Sequence, residues 1–268
     1  MNAALAPQAV AEAMASLDAH GYAVVPGVLD EGEVAEAAER LWRAGEESRR
    51  RGGRTHIAHL DPNDRNVRVN NLVDLDPVFA RLLGHPAAEA VAAALLGDDF
   101  VVSNFSANIA LPGSGSMFVH SDQSLVVPEP WIEPWSLNVI WCLADVHFQN
   151  GGTLYMPGSH RFRTRAEVPD DVQSNMVAFE APAGSIIAMD GRVWHTSGAN
   201  ITTDEERPLL FAYYTRAFLR PQWNFSVSLR PEVQASLDRT MRYRLGLDIA
   251  LNVGLSPRLG QNPTAATS

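Results

Sequence analysis

His120, Asp122 and His195 are the residues of this chain whose types and spacing best suit them to chemistry, an H-x-D pair followed far downstream by a second His. Two imidazoles and one carboxylate on one face of an octahedral ion leave three adjacent positions open. A non-heme Fe(II) oxygenase needs those positions to admit a cosubstrate and O2. In an extended segment, residues i and i+2 project to the same side, so His120 and Asp122 on a strand over 117–122 would grip one ion like a pincer. His195 must then arrive from another strand. H-x-D alone is a weak signal: with 8 His in the chain a surface His-Ser-Asp turn explains it equally well, and the surroundings have to decide.

The composition narrows the chemistry. All 21 basic residues are Arg, so Schiff-base catalysis, a pyridoxal-phosphate anchor and a P-loop lysine are excluded. A formal net charge of −10 argues against nucleic acid or an anionic membrane as a partner in the absence of a large basic face. Cys142 is the single cysteine, which excludes an intrachain disulfide and a cysteine-rich zinc site. Between Trp141 and Leu143 it reads as an inert core thiol on a buried strand. Val10, Met14 and Leu17 sit at helical spacing, the pattern of a core-facing helix and not of a signal peptide, and no apolar run approaches a membrane span. The expectation is a cytoplasmic monomer or homodimer that acts on a small molecule.

The elements that must position the triad follow from the pattern. The 268 residues, 46% hydrophobic, are enough for one domain over 1–268, and no linker or internal repeat divides it. The part over about 1–98 reads as mostly helical, with helices over 7–19, through about residue 50, over 77–83 and over 87–96, and one short strand over 22–25. Asp30 followed by Glu33 resembles a capping box that opens the second helix. From residue 100 onward β-branched and aromatic runs are broken by Gly, Pro and Asn. Candidate strands cover 100–111, 117–122, 136–146, 153–156, 176–179, 185–189, 193–197 and 208–218. The fold class is mainly β with flanking helices: a double-stranded β-helix, a jelly-roll, cupin-like barrel over about 99–220 whose interior can hold a metal. A C-terminal part over 221–268 adds a helix over 231–245 and a loose tail over 255–268. On 100–111, alternation puts Asn104, Ser106 and Asn108 on one side and Phe105, Ala107 and Ile109 on the other. The polar side either faces water or lines a wet interior, and in the second case Asn108 is a candidate cosubstrate contact.

Three further stretches surround the triad. Residues 150–160, Asn-Gly-Gly-Thr-Leu-Tyr-Met-Pro-Gly-Ser-His, make a turn, a short strand and a turn. Residues 183–190 make a second turn and strand that feed Trp194-His195-Thr196-Ser197-Gly198-Ala199-Asn200, and Arg207 then heads Leu209, Phe211 and Tyr213. In this order, from about Tyr22 to Phe218, the chain resembles the phytanoyl-CoA dioxygenase family of Fe(II)- and 2-oxoglutarate-dependent oxygenases.

The resemblance implies a double-stranded β-helix in which His120, Asp122 and His195 are the iron ligands and catalytic centre. It further implies Arg207 on the distal carboxylate of 2-oxoglutarate, O2 as second cosubstrate and ascorbate as a stimulant. A guanidinium suits that role, being planar, permanently charged and able to grip a carboxylate through two N–H groups. Without the family, an exposed Arg after Asp204-Glu205-Glu206 is the plainer reading. Thr153 offers a hydroxyl to the same carboxylate, or is an ordinary β-branched strand residue. Some relatives carry Gln three residues before the first ligand where this chain has Met117; Asn108, Asn138 and Arg68 are the substitutes at hand. Related halogenases replace the carboxylate ligand by Gly or Ala, so Asp122 disfavours halogenation.

Met117, Trp131, Trp135, Trp141, Tyr213, Phe218 and Trp223 are either an apolar substrate wall or ordinary core. His20, His56, His59, His85 and His147 read as structural or exposed, and His160 as a turn-fixing residue of the family. Arg49, Arg50, Arg51 and Arg54 read as a solvated helix end. The implied reaction is oxidation, by default hydroxylation, of a C–H bond of a mostly apolar small molecule or secondary metabolite, with release of succinate and CO2. A metal-binding jelly roll that does no oxidation, an isomerase or a small-molecule binder with Zn(II) on the same ligands, is the other reading. A structural domain without metal is a third.

Overall fold

The computed structural model describes residues 5–248. Helix α1 (Pro7–His20) ends at Gly21, whose left-handed φ of 84° returns its N–H to Leu17 and turns the chain directly into strand β1 (Tyr22–Val25). Helix α2 (Glu31–Arg50) opens on the capping box: Asp30 accepts from the Glu33 N–H at 2.8 Å and Glu33 accepts from the Asp30 N–H at 3.1 Å. Strand β2 (Asn66–Val69) follows. Helices α3 (Pro77–Leu83) and α4 (Pro86–Leu96) both start on Pro, whose missing N–H is harmless in a first turn. Their caps, Asp76 and His85, each accept a main-chain N–H from two residues on. No single described helix is long and apolar enough to cross a membrane.

The remaining strands are β3 (Val101–Ala110), β4 (Ser136–Cys142), β5 (Leu154–Tyr155), β6 (Val177–Ala178), β7 (Ile186–Asp190), β8 (His195–Thr196) and β9 (Arg207–Thr215). They form an antiparallel sheet in the order β1-β7-β4-β9-β3-β2 and a small sheet in the order β6-β5-β8. The architecture is thus mainly β with flanking helices on two sheets of a jelly roll. The expected closure into a barrel is not found, because the small sheet's strands are only two residues long.

The pincer strand over 117–122 is also not formed. This stretch contributes an isolated bridge between His120 and His195, and Asp122 already has helical angles (φ −56°, ψ −42°) at the head of a one-turn 3-10 segment, Gln123–Leu125. Local serine hydrogen bonds compete with the ladder. Ser121 Oγ donates to the Gly191 carbonyl and accepts the Ser124 N–H, while Ser124 Oγ donates back to the Ser121 carbonyl.

Two further expectations are corrected. After the short helix α5 (Phe225–Ser228), the single helix over 231–245 is two, α6 (Pro231–Ser236) and α7 (Arg239–Arg244). Leu237 is extended between them, and Asp238 caps α7 by accepting the Met241 N–H at 2.8 Å. Strand β2 has no counterpart in the sequence reading: it is four residues long and carries a charge, Arg68. The tail over 255–268 lies outside the described residues.

Alternation sorts the large sheet's side chains into two cores. The outer face, with Phe105, Ile109, Val139 and Trp141, packs on Leu17, Leu41, Phe79 and Val91 of the helices. The inner face, with Ile140, Cys142, Ile187 and Leu209, packs on Tyr155 and Phe179, whose rings stack at 4.3 Å. This apolar cluster fills one end of the space between the sheets. The turns beneath it pass so closely that a Cβ on Gly198 would stand 2.5 Å from the Gly152 carbonyl oxygen, which restricts that position to glycine. The other end of the space is lined by polar side chains.

Candidate functional site

His120, Asp122 and His195 converge at that polar end. Asp122 Oδ1 lies 3.7 Å from His120 Nε2 and 4.0 Å from His195 Nε2, and the three ligand atoms lie within 4.8 Å of one another. His120 Nδ1 faces the Phe118 carbonyl at 3.1 Å and His195 Nδ1 the Val193 carbonyl at 2.9 Å. A carbonyl only accepts, so each ring holds its proton on Nδ1 and turns the Nε2 lone pair towards Asp122. Burial, and then the neighbouring His120 ring, push the His195 pKa well below its ordinary value, which keeps the imidazole neutral. Asp122 Oδ2 accepts from Asn138 Nδ2 at 3.0 Å, which leaves Oδ1 for an ion. Two neutral imidazole nitrogens and one carboxylate oxygen, each held from behind, fit an Fe(II) or Zn(II) ion.

The triad overhangs an open cleft. The cleft floor is the inner face of the large sheet, where Arg207, Asn108, Ser106, Phe211 and the cross-strand rung Asn104–Tyr213–Asn138 line it. Asn104, Ser106 and Asn108 therefore line a wet interior rather than the outer surface. Thr153 is buried at its side.

Arg207 closes one end and is only 1% exposed. Its Nη2 reaches Asn108 Oδ1 at a long 3.4 Å, while its Nε and Nη1 have no partner among the described residues. Burial pushes its pKa down to about 10, so it is still a cation at neutral pH. Leaving a buried charge unpaired costs several kcal/mol, so a guanidinium held in this way is a receptor for an anion. A carboxylate takes two N–H groups along one edge of a guanidinium, so one that approaches the Nη1/Nη2 edge would give Nη1 its partner. The site therefore fits 2-oxoglutarate as well as the metal.

Several residues have other duties. Arg68 is paired at 2.7 Å with Asp61, whose side chain is fully buried, and its Nη2 also touches Met117 Sδ at 2.9 Å. Nothing in the sequence singled out Asp61. Of the expected apolar wall, only Met117 and Tyr213 line the cleft, joined by Phe211. Trp141 lies on the outer face of β4, Trp223 packs on the same helical core, and Trp131 joins a separate cluster with Val127, Val168 and Trp194. Trp135 and Phe218 meet edge to face at 5.1 Å. Exposed apolar side chains sit close to the triad: the half-exposed Phe118 ring is 5.1 Å from His120, and Leu125 follows Asp122 by one turn.

Several of the remaining His and Arg residues have structural partners. His160 donates to the Asp18 carbonyl at 3.1 Å, His147 pairs with Glu205 at 2.8 Å, and Arg50 and Arg51 pair with Glu47 at the end of α2. Cys142 is buried, which pushes its thiol up to about 12.

Residues 17–208 match the phytanoyl-CoA dioxygenase (PhyH) family. Among curated proteins, the dioxygenase af480 of Aspergillus fumigatus is 48% identical over 236 residues, covering 88% of this chain and 76% of that protein. Among solved structures, the epimerase SnoN in complex with Fe3+, alpha ketoglutarate and nogalamycin RO superposes with a TM-score of 0.64 at 24% identity, over 84% of this chain and 91% of that one. HygX from Streptomyces hygroscopicus, with nickel and 2-oxoglutarate bound, superposes with a TM-score of 0.64 at 20% identity, over 81% and 90%. The two solved structures share the fold of this chain.

Proposed function

This chain belongs to the phytanoyl-CoA dioxygenase family, and from that premise we infer that His120, Asp122 and His195 hold its iron and Arg207 its 2-oxoglutarate. It is a 2-oxoglutarate-dependent non-heme iron dioxygenase. The observation that carries the residue assignment is the buried Arg207, whose Nε and Nη1 lack partners among the described residues at one end of the cleft that the N,N,O triad overhangs. A metal-binding jelly roll that does no oxidation gives that charge nothing to receive.

When bound, iron and 2-oxoglutarate would supply the two-electron oxidation of a C–H bond, coupled to the O2-dependent decarboxylation of 2-oxoglutarate to succinate and CO2. The chain's own work is placement. The Phe118 and Val193 carbonyls hold the Nδ1 protons of the two histidines, so both Nε2 lone pairs point one way. Asn138 restrains Asp122 so that one oxygen faces the ion. Arg207 takes the distal carboxylate, with the free Nδ2 of Asn108 and the hydroxyl of Thr153 as further donors. The Tyr155–Phe179 cluster keeps water out of the space beyond the cleft. The substrate is a mostly apolar small molecule, by default hydroxylated, because the side chains exposed beside the triad, Phe118 and Leu125, are apolar.

The test is succinate formation from 2-oxoglutarate with Fe(II) and ascorbate, stimulated by a panel of apolar metabolites. Succinate release that needs no iron, or that survives Arg207→Ala unchanged, overturns the assignment.

A further inference from the structure

Three asparagines line the cleft, and each commits one half of its amide to a protein partner. Asn108 Oδ1 accepts from Arg207 at 3.4 Å, Asn138 Nδ2 donates to Asp122 at 3.0 Å, and Asn104 Nδ2 donates to Gln222 at 3.3 Å. The other halves, Asn108 Nδ2, Asn138 Oδ1 and Asn104 Oδ1, are buried without partners among the described residues. For two of the three, the partner dictates which half is free. A guanidinium only donates, so Asn108 must turn its oxygen to Arg207 and present an NH2 group. A carboxylate only accepts, so Asn138 must turn its NH2 to Asp122 and present a carbonyl. This holds whichever way the amide is drawn.

The two free halves sit at opposite ends. The Asn108 donor stands beside Arg207 and suits an oxygen of the bound anion. The Asn138 acceptor is on the rung Asn104–Tyr213–Asn138, beside the metal-binding carboxylate and away from the anion receptor. The Tyr213 hydroxyl on the same rung is also buried, beside the Ser136 hydroxyl, and makes no well-formed hydrogen bond among the described residues. A buried acceptor left unmet is costly, so a ligand that fits here brings a donor.

Resting on the function proposed above, we propose that the substrate is an apolar molecule that already carries a hydroxyl group, whose O–H donates to Asn138 Oδ1. Its oxygen lone pairs lie within the range of the Tyr213 hydroxyl, and its apolar remainder lies against Phe211 and the exposed Phe118. A ketone or methyl ether at the same carbon brings only lone pairs to a lone pair and is rejected. The reaction that supplies this substrate is therefore one that has already put oxygen on an apolar skeleton, such as an earlier hydroxylation.

Calorimetric titration tests this on protein loaded with nickel(II) and 2-oxoglutarate, which bind without turnover. The probes are a matched set: 2-decalol, 2-decalone, 2-methoxydecalin and decalin. The alcohol binds about ten-fold or more tightly than the ketone and the ether, and Asn138→Leu erases that preference while apolar binding persists. Because Asn138→Leu also loosens Asp122, the ranking is repeated on metal-free protein, where the cleft carbonyl is still present. Tyr213→Phe lowers the affinity of alcohol, ketone and ether alike and leaves the preference for the alcohol, without touching the partner of Asp122. Equal affinity for alcohol and ether, a preference that survives Asn138→Leu, or no binding by any of the four overturns the proposal. Failure of nickel and 2-oxoglutarate to bind together counts instead against the iron and cosubstrate assignment, and the metal-free ranking then still decides the recognition.

Discussion

His120 and His195 exchange two main-chain hydrogen bonds, N–H to carbonyl at 3.0 Å in one direction and 2.8 Å in the other, across an isolated bridge. That bridge, and not a strand bearing both H-x-D residues, sets the imidazole centroids 4.4 Å apart. The carboxylate then has only to turn in, which the helical angles of Asp122 achieve. Removing one member should therefore cost the ion outright. His195→Ala or Asp122→Ala is expected to drop bound iron from about one per chain to about a tenth or less, read by elemental analysis after dialysis. Stoichiometric iron in either variant would sink the triad.

Asn138 is expected to matter to the metal without touching it. Asn138→Leu frees Asp122 Oδ2 and should weaken metal affinity about ten- to a hundred-fold, in the range seen for groups that orient ligands from behind. Competition with a chelator of known affinity measures it, and an unchanged constant shows that the hydrogen bond orients nothing.

Arg207→Met separates binding from stability. Its affinity for 2-oxoglutarate should fall about a hundred-fold or more, because two charge-assisted hydrogen bonds to a carboxylate are lost. In the absence of 2-oxoglutarate the variant should melt no lower than the parent, since an unpaired buried charge has been replaced by an apolar chain of similar length. A variant that melts well below the parent would mean the guanidinium has a structural counter-ion.

Cys142 should resist alkylation. Burial raises its pKa to about 12, so the thiolate is scarce at neutral pH and stays scarce until the solution nears that value. Iodoacetamide should label the native protein slowly from pH 7 to 10 and label one thiol promptly in denaturant, as counted by mass spectrometry. Prompt labelling of the native protein would place the thiol in contact with solvent.

Part of the candidate site was legible because ligand chemistry restricts residue type: His120, Asp122 and His195 stood out by type and spacing, whereas Arg207 was picked out only through the family resemblance, since an Arg after an acidic run reads by itself as exposed. The polar alternation Asn104, Ser106, Asn108 was legible too, although it could not say whether bulk water or a cleft lay on that side. The supporting groups were not legible. The carbonyls of Phe118 and Val193 belong to every residue alike, and Asp61 finds Arg68 only once β2 is paired to β3. Short elements failed for a related reason: β2, β5, β6 and β8 are too brief for a two-residue period to stand out. At 121 and 124, serine side chains decided a turn where backbone pattern alone favoured a strand. The tryptophans misled because Trp141 obeys strand alternation as well as Asn138 does, but on the opposite face.

One side chain, Asn138, steadies the Asp122 carboxylate with its nitrogen and meets the cleft with its oxygen. Position 138 is therefore not free to be retuned for a new molecule, since any exchange that reshapes the pocket there also slackens the oxidising centre. Under the proposed assignment, drift in substrate range on this scaffold is steered outward, to exposed side chains such as Leu125 that hydrogen-bond to none of the triad.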